Sequence, residues 1–172
     1  MNKQALVTGA GKRLGRAMAL YLGERGFDVA VHYNTAREGA DEVVERIRAM
    51  GQQAAAVQAD LLIEDETRAL IPAATEALGG PFSVLVNSAS IFEHDDFENA
   101  TRESWDRAME SNLRAPFVLT QTFATQAPEP SHRGAWNEPT ANALIITLVD
   151  QRVRKLTPLF MTYTNAKMRL RA

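Results

Sequence analysis

With 172 residues, 45% of them hydrophobic and 23% charged, the chain can bury one substantial core but leaves little room for a second. A formal charge of −2 gives no general attraction to nucleic acid or an anionic membrane, and the absence of cysteine excludes disulfides and thiolate metal sites. His32, His94 and His132 lie far apart without ligand spacing, so no metal is expected.

Only Ala5-Leu6-Val7 separates Met1-Asn2-Lys3-Gln4 from Thr8-Gly9, too short an apolar run for a signal peptide or a membrane span, and a cytoplasmic protein is expected. Gln4 to Val7 reads as a short buried strand ended by the glycine-rich turn Thr8 to Gly15. Leu14, Ala17, Met18, Tyr21 and Leu22 recur at helical spacing up to Gly26, and Phe27 to Tyr33 reads as a second strand. An amphipathic helix from Ala36 to Met50 ends at Gly51, Ala54 to Gln58 is a third strand, and a helix from Glu64 to Leu78 carries Pro72 as an irregularity. Val84 to Val86 is a fourth strand running into Asn87-Ser88-Ala89-Ser90, a long helix spans Arg102 to Ala124, and Leu144 to Val149 is a fifth strand. Pro128, Pro130, Gly134 and Pro139 mark a surface loop, and a last helix starts near Phe160. This alternation of helices with continuously apolar strands predicts an α/β fold: a doubly wound, Rossmann-like parallel sheet of order 3-2-1-4-5, in one domain over residues 1–172.

A glycine-rich turn between first strand and first helix suits a pyrophosphate, because it offers main-chain N–H groups and a helix N-terminus. A Walker loop would need glycine at Leu6 and Ser or Thr at Arg13, and for G-x-G-x-x-G the glycine at Gly15 comes one residue late. A tight turn without ligand is the plainer alternative. The end of the second strand, His32 to Arg37, holds no acid that would repel a 2′-phosphate, whereas Asn34, Thr35 and Arg37 can donate hydrogen bonds. NADPH is therefore preferred to NADH, although Arg37 also fits a solvated first helical turn.

Tyr163 and Lys167 stand four apart on the last helix and share a face, so the ammonium is expected to lower the phenol pKa from about 10 and ready it for proton transfer. The same spacing arises on an ordinary solvated face. Pro116 cannot bond the carbonyl of Asn112, which is expected to be left free, or the proline makes a simple kink. Asp150 after the fifth strand suits a substrate bearing N–H groups, or caps a turn.

Thr8-Gly9 to Gly15 and Tyr163 to Lys167 together resemble the short-chain dehydrogenase/reductase family, with Arg13 in place of the loop's middle glycine as in its pteridine reductases. The resemblance implies cofactor contacts at Thr8, Gly9, Arg13, Leu14, Gly15, His32, Asn34, Thr35, Asp60, Leu61, Asn87, Ser88, Ala89, Tyr163 and Lys167. It implies catalytic roles for Asn112, Asp150, Tyr163 and Lys167, and substrate contacts at Arg13, Ser90, Phe92 and Asp150, with Phe92 stacking on a pterin. In this scheme Lys167 binds the nicotinamide ribose, the Asn112 carbonyl holds a relay water, and Tyr163 with Asp150 supplies the proton. Family members form dimers or tetramers and continue past the lysine with further strands and a substrate-covering segment. Here only Met168 to Ala172 follow, so the C-terminal strands are expected to be missing and Leu144 to Val149 to form an exposed apolar edge. Three functions remain open: an NADPH-dependent pteridine reductase, a reductase of ordinary carbonyl compounds, and a truncated, inactive cofactor-binding or interaction fragment. None involves nucleic acid or membrane.

Overall fold

The structure, a computed structural model, describes residues 3–128 and 133–171; Pro130 of the expected surface loop and His132 lie outside the described residues. Five strands, β1 (Gln4–Val7), β2 (Asp28–Tyr33), β3 (Ala54–Gln58), β4 (Val84–Asn87) and β5 (Leu144–Thr147), form one sheet in the order β3-β2-β1-β4-β5. Every pair is parallel, so the topology is the expected one. Val7 pairs with both Val31 and Val86, which brings the carboxyl ends of the central strands to one rim.

The strands read as continuous apolar runs because both faces are covered. Ala5, Val7, Val29, Val31, Val84 and Val86 face one side, against Ala19 and Leu20 of α1 (Arg13–Glu24) and Val43 and Ile47 of α2 (Arg37–Ala49). Leu6, Ala30 and Leu85 face the other, against Leu70, Ile71 and Ala74 of α3 (Glu64–Leu78) and Leu119 and Phe123 of α5 (Ala115–Gln126). Pro72 is tolerated within α3 because it lies on the exposed face, where a carbonyl deprived of its donor can be hydrated. Gly79 then closes α3 in the left-handed conformation, with φ of 75°.

The expected helix from Arg102 to Ala124 is instead three pieces. α4 (Arg102–Met109), opened by a capping box between Thr101 and Ser104, gives way to a π-helical turn over Glu110–Arg114 before α5 begins. Ala115 donates to the Glu110 carbonyl, one residue further back than in an α-helix. Pro116, which has no N–H to give, sits just beyond this widened turn and accounts for the shift in the ladder. The last helix, α6 (Met161–Arg171), packs beside α4 and the π turn.

β5 ends at Thr147, two residues earlier than expected, and no described strand pairs with its outer side. Leu144, Ile145 and Ile146 are 51%, 36% and 41% exposed, as expected of an apolar edge. Among the described residues no helix is long and apolar enough to cross a membrane.

Candidate active site

A cleft of about 680 Å³ opens at the carboxyl ends of the strands, lined on one side by the β1–α1 turn and on the other by Ser90, Phe92, Asp150, Tyr163 and Lys167. In an open parallel sheet this rim, where the chain crosses from one half of the sheet to the other, is where ligands bind.

The β1–α1 turn is held from within. The Thr8 hydroxyl accepts from the N–H groups of Ser88 and Ala89, each at 2.9 Å, and the Thr8 N–H donates to Val86 at 3.0 Å, tying the turn to the end of β4. Gly9 donates 3.0 Å to Nδ1 of His32, whose Nε2 faces the Ala59 carbonyl at 3.1 Å. The ring therefore carries its proton on Nε2, and burial pushes its pKa down to about 4. His32, an expected cofactor contact, lines the cleft but has both nitrogens committed to main chain. Gly9 and Ala10 donate inward, to His32, so the first turn of α1, which no side chain caps, is left to face a ligand. A Cβ on Gly15 would overlap the Gly9 carbonyl, so the turn closes this tightly only with glycine there. Arg13, exposed in the cleft, adopts a φ of 51°, a left-handed conformation in keeping with a position where the family loop has glycine.

At the end of β2, Asn34 and Thr35 are exposed to the cleft, while Arg37 bonds Tyr33 and Asp41, each at 3.3 Å. Asp60 caps the turn after β3 by accepting from Leu62 at 2.9 Å; Leu61 is buried beside it. Asn87 is buried and donates 3.3 Å to Thr147, linking β4 to β5 at the rim.

The side chains expected to be catalytic gather around α6 and the loop after β4. The Tyr163 hydroxyl faces the Asp150 carboxylate and the Ser90 hydroxyl. The expected fall in the Tyr163 pKa does not occur: burial first, then the charge and hydrogen bond of Asp150, push it up to about 12 against smaller opposing effects of Ser90 and Arg152. Lys167 cannot reverse this. Its ammonium is turned to the Leu148 carbonyl at 3.1 Å and lies 5.9 Å from the tyrosine ring centroid, and burial lowers its own pKa to about 8. Asp150 also caps the short 3₁₀ turn Gln151–Val153, accepting 2.8 Å from the Arg152 N–H, so it is a cap and a cleft carboxylate at once. Fully buried Asn112 uses its side chain to hold the loop: Oδ1 accepts from Ser90 Oγ at 2.8 Å and the Ile91 N–H at 3.0 Å, and Nδ2 donates to the Ile91 carbonyl at 2.9 Å. Phe92 is 46% exposed, and one face is taken by Phe160 at 4.2 Å between parallel centroids.

Residues 3–135 match the family model for short chain dehydrogenase. The chain belongs to the short-chain dehydrogenase family. Relatives include the 3-oxoacyl-[acyl-carrier-protein] reductase FabG of Staphylococcus epidermidis, 37% identical over 126 residues that make up 73% of this chain and 51% of FabG. Among solved structures, FolM alternative dihydrofolate reductase 1 from Brucella canis complexed with NADP superposes with a TM-score of 0.85 at 35% identity, over 98% of this chain and 63% of that one. The angucycline C-6 ketoreductase LanV with bound NADP gives 0.85 at 33% identity, with the same coverages. The chain thus spans about half the length of the curated short-chain relatives it matches, and under two thirds of these solved ones.

This short-chain dehydrogenase site also depends on residues that local sequence patterns do not reveal. Asp95, buried in the loop after β4, accepts hydrogen bonds from the start of α6. Arg152 places its guanidinium 5.1 Å from the centroid of Phe92 and 4.7 Å from that of Phe160. Both work through contacts distant in sequence, and no periodicity or motif marks them.

Proposed function

We propose that this chain forms the cofactor-binding and proton-donating part of an NADPH-dependent reductase whose substrate is a dihydropterin-like heterocycle. The observation that carries the reading is that Tyr163, Asp150 and Ser90 line one cleft together, with the Asp150 carboxylate and the Ser90 hydroxyl near enough to act on the phenol. With a pKa near 12 the phenol remains protonated at neutral pH, as a proton donor must. NADPH, when bound, supplies the hydride.

The residues present fit that cofactor. The uncapped first turn of α1 and the close packing at Gly15 leave room for a pyrophosphate, and Asn34 and Thr35 at the end of β2 offer donors to a 2′-phosphate. Arg13 adds a cation on the same side of the cleft, and Lys167, which also lines it, would hold ribose hydroxyls. Asp150 accepts N–H groups of the substrate, a task a serine performs less well and one that a pterin ring, rich in N–H donors, makes use of. The likeness to FolM, an alternative dihydrofolate reductase, supports this choice. Asn112 keeps Ser90 and Ile91 in place beside the phenol.

A second reading, reduction of simple ketones, is favoured by the stacking of Phe92 on Phe160, which leaves only one face of that ring for a flat substrate, and by the likeness to FabG and LanV. Following NADPH oxidation with dihydrobiopterin, dihydrofolate and an acetoacetyl thioester separates the two. Tyr163→Phe is expected to lower kcat about 10³-fold and to leave the Kd for NADPH within about twofold. A folded chain that neither binds NADPH nor oxidises it with any of these substrates overturns both readings.

A further inference from the structure

The start of α6 decides where the phenol stands, and the residue before it supplies no side-chain cap. Phe160, which precedes Met161, has no side-chain oxygen to cap a helix and adopts a left-handed φ of 59°. For a non-glycine residue that conformation costs about 1 kcal/mol or more and persists only where the surroundings impose it.

Those surroundings come from the short stretch Phe92 to Asp95. Asp95, 3% exposed, places both carboxylate oxygens 3.3 Å from the Thr162 N–H, 67 residues away in sequence. Its main-chain carbonyl accepts a 2.7 Å bond from the Phe160 N–H. Phe92 lies parallel to Phe160 and meets Tyr163 edge-on, with centroids 4.8 Å apart. The carboxylate thus supplies from a distance the cap and the negative charge that a helix N-terminus favours. Thr162 immediately precedes Tyr163, and each helical residue turns the chain by about 100°, so a slip of one residue would carry the phenol out of the cleft.

We propose that Asp95 is a positioning residue for Tyr163: a cap delivered from the loop after β4 that fixes where α6 begins and so sets the phenol against Asp150 and Ser90. The proposal rests on the reading of Tyr163 as proton donor, but its structural half stands apart from turnover and is tested separately.

Three variants decide it. Asp95→Ala removes the cap, Asp95→Asn keeps one acceptor oxygen, and Thr101→Ala removes the exposed cap of α4 as a control for lost helix stability alone. The readouts are kcat and KM separately, the Kd for NADPH, and phenolate absorbance of Tyr163, taken as the difference from the same background carrying Tyr163→Phe. The groups that face the phenol, Asp150, Arg152, Ser90 and Phe92, with Lys167 on its own helix, are unchanged throughout. Asp95→Ala is expected to lower kcat about tenfold or more, with the Kd for NADPH within about twofold, and to produce Tyr163 phenolate by about pH 10.5, where the parent chain shows none. Asp95→Asn is expected to recover most of both properties, and Thr101→Ala to lower only the thermal midpoint. If Asp95→Ala does not fold, Asp95→Ser is expected to shift both readouts in the same direction by a smaller factor. Parental Tyr163 titration in a folded Asp95→Ala or Asp95→Ser chain overturns the proposal, as does an equal effect of Thr101→Ala on kcat. If the parent chain itself neither binds NADPH nor oxidises it, the proposed function fails while the phenolate signal still decides the role of Asp95.

Discussion

His32 braces the β1–α1 turn only while its ring is neutral, because Nδ1 must accept the Gly9 N–H. Its folded pKa of about 4 lies below the ordinary value of 6.5, so between these values the unfolded chain binds more protons than the folded one. Stability from this residue is therefore complete above pH 6.5 and is lost as pH falls to 4, by about 3 kcal/mol in all and at most about 1.4 kcal/mol per pH unit. Urea unfolding across this range is expected to show that slope in the parent chain and to lack it in His32→Gln. Glu64, whose pKa is lowered to about 2 chiefly by hydrogen bonds from Arg114 and Arg68, loses its stabilising effect in a separate and more acidic window. The tight turn that His32 braces was legible from its glycines, but the brace was not, since its partners lie 23 and 27 residues away. For the same reason the four-residue spacing placed Tyr163 and Lys167 on one helix yet missed the direction of the tyrosine shift, which burial and Asp150 decide.

The π turn before α5 and the loop after β4 behave as one unit because Asn112 joins them. Its amide satisfies both main-chain groups of Ile91 as well as the Ser90 hydroxyl. Asn112→Ala would leave those groups unpaired beside a new cavity and is expected to cost roughly 2–3 kcal/mol, read as a lower urea midpoint, together with weaker turnover. Pro116 marked this place in the sequence, though as an expected free carbonyl; what the structure displays is a widened turn and a working side chain. Elements with strong periodicity and glycine stops, such as β3 and α3, were readable to the residue. The carboxyl end of β5 and the division of α4 from α5 were not, because strand length depends on pairing and the break on a single missing N–H.

Across the whole molecule, the cleft is assembled from parts remote along the chain. Thr8 meets Ser88 across 80 residues, Asp95 meets Thr162 across 67, and Asn87 meets Thr147 across 60. A parallel sheet pairs no neighbours through tight hairpins, so each of these meetings must close a long loop before any contact offsets its entropy. That topology makes the order of events in refolding predictable. Helices should appear early by far-ultraviolet circular dichroism, while the fluorescence change of added NADPH should follow only the slowest kinetic phase. The Thr8 hydroxyl, described above as a tie between two turns, then has a temporal meaning. Its partners lie 80 and 81 residues away, so it is expected among the last joints to close, and a chain still in the act of folding would hold no finished pocket in which cofactor could be caught.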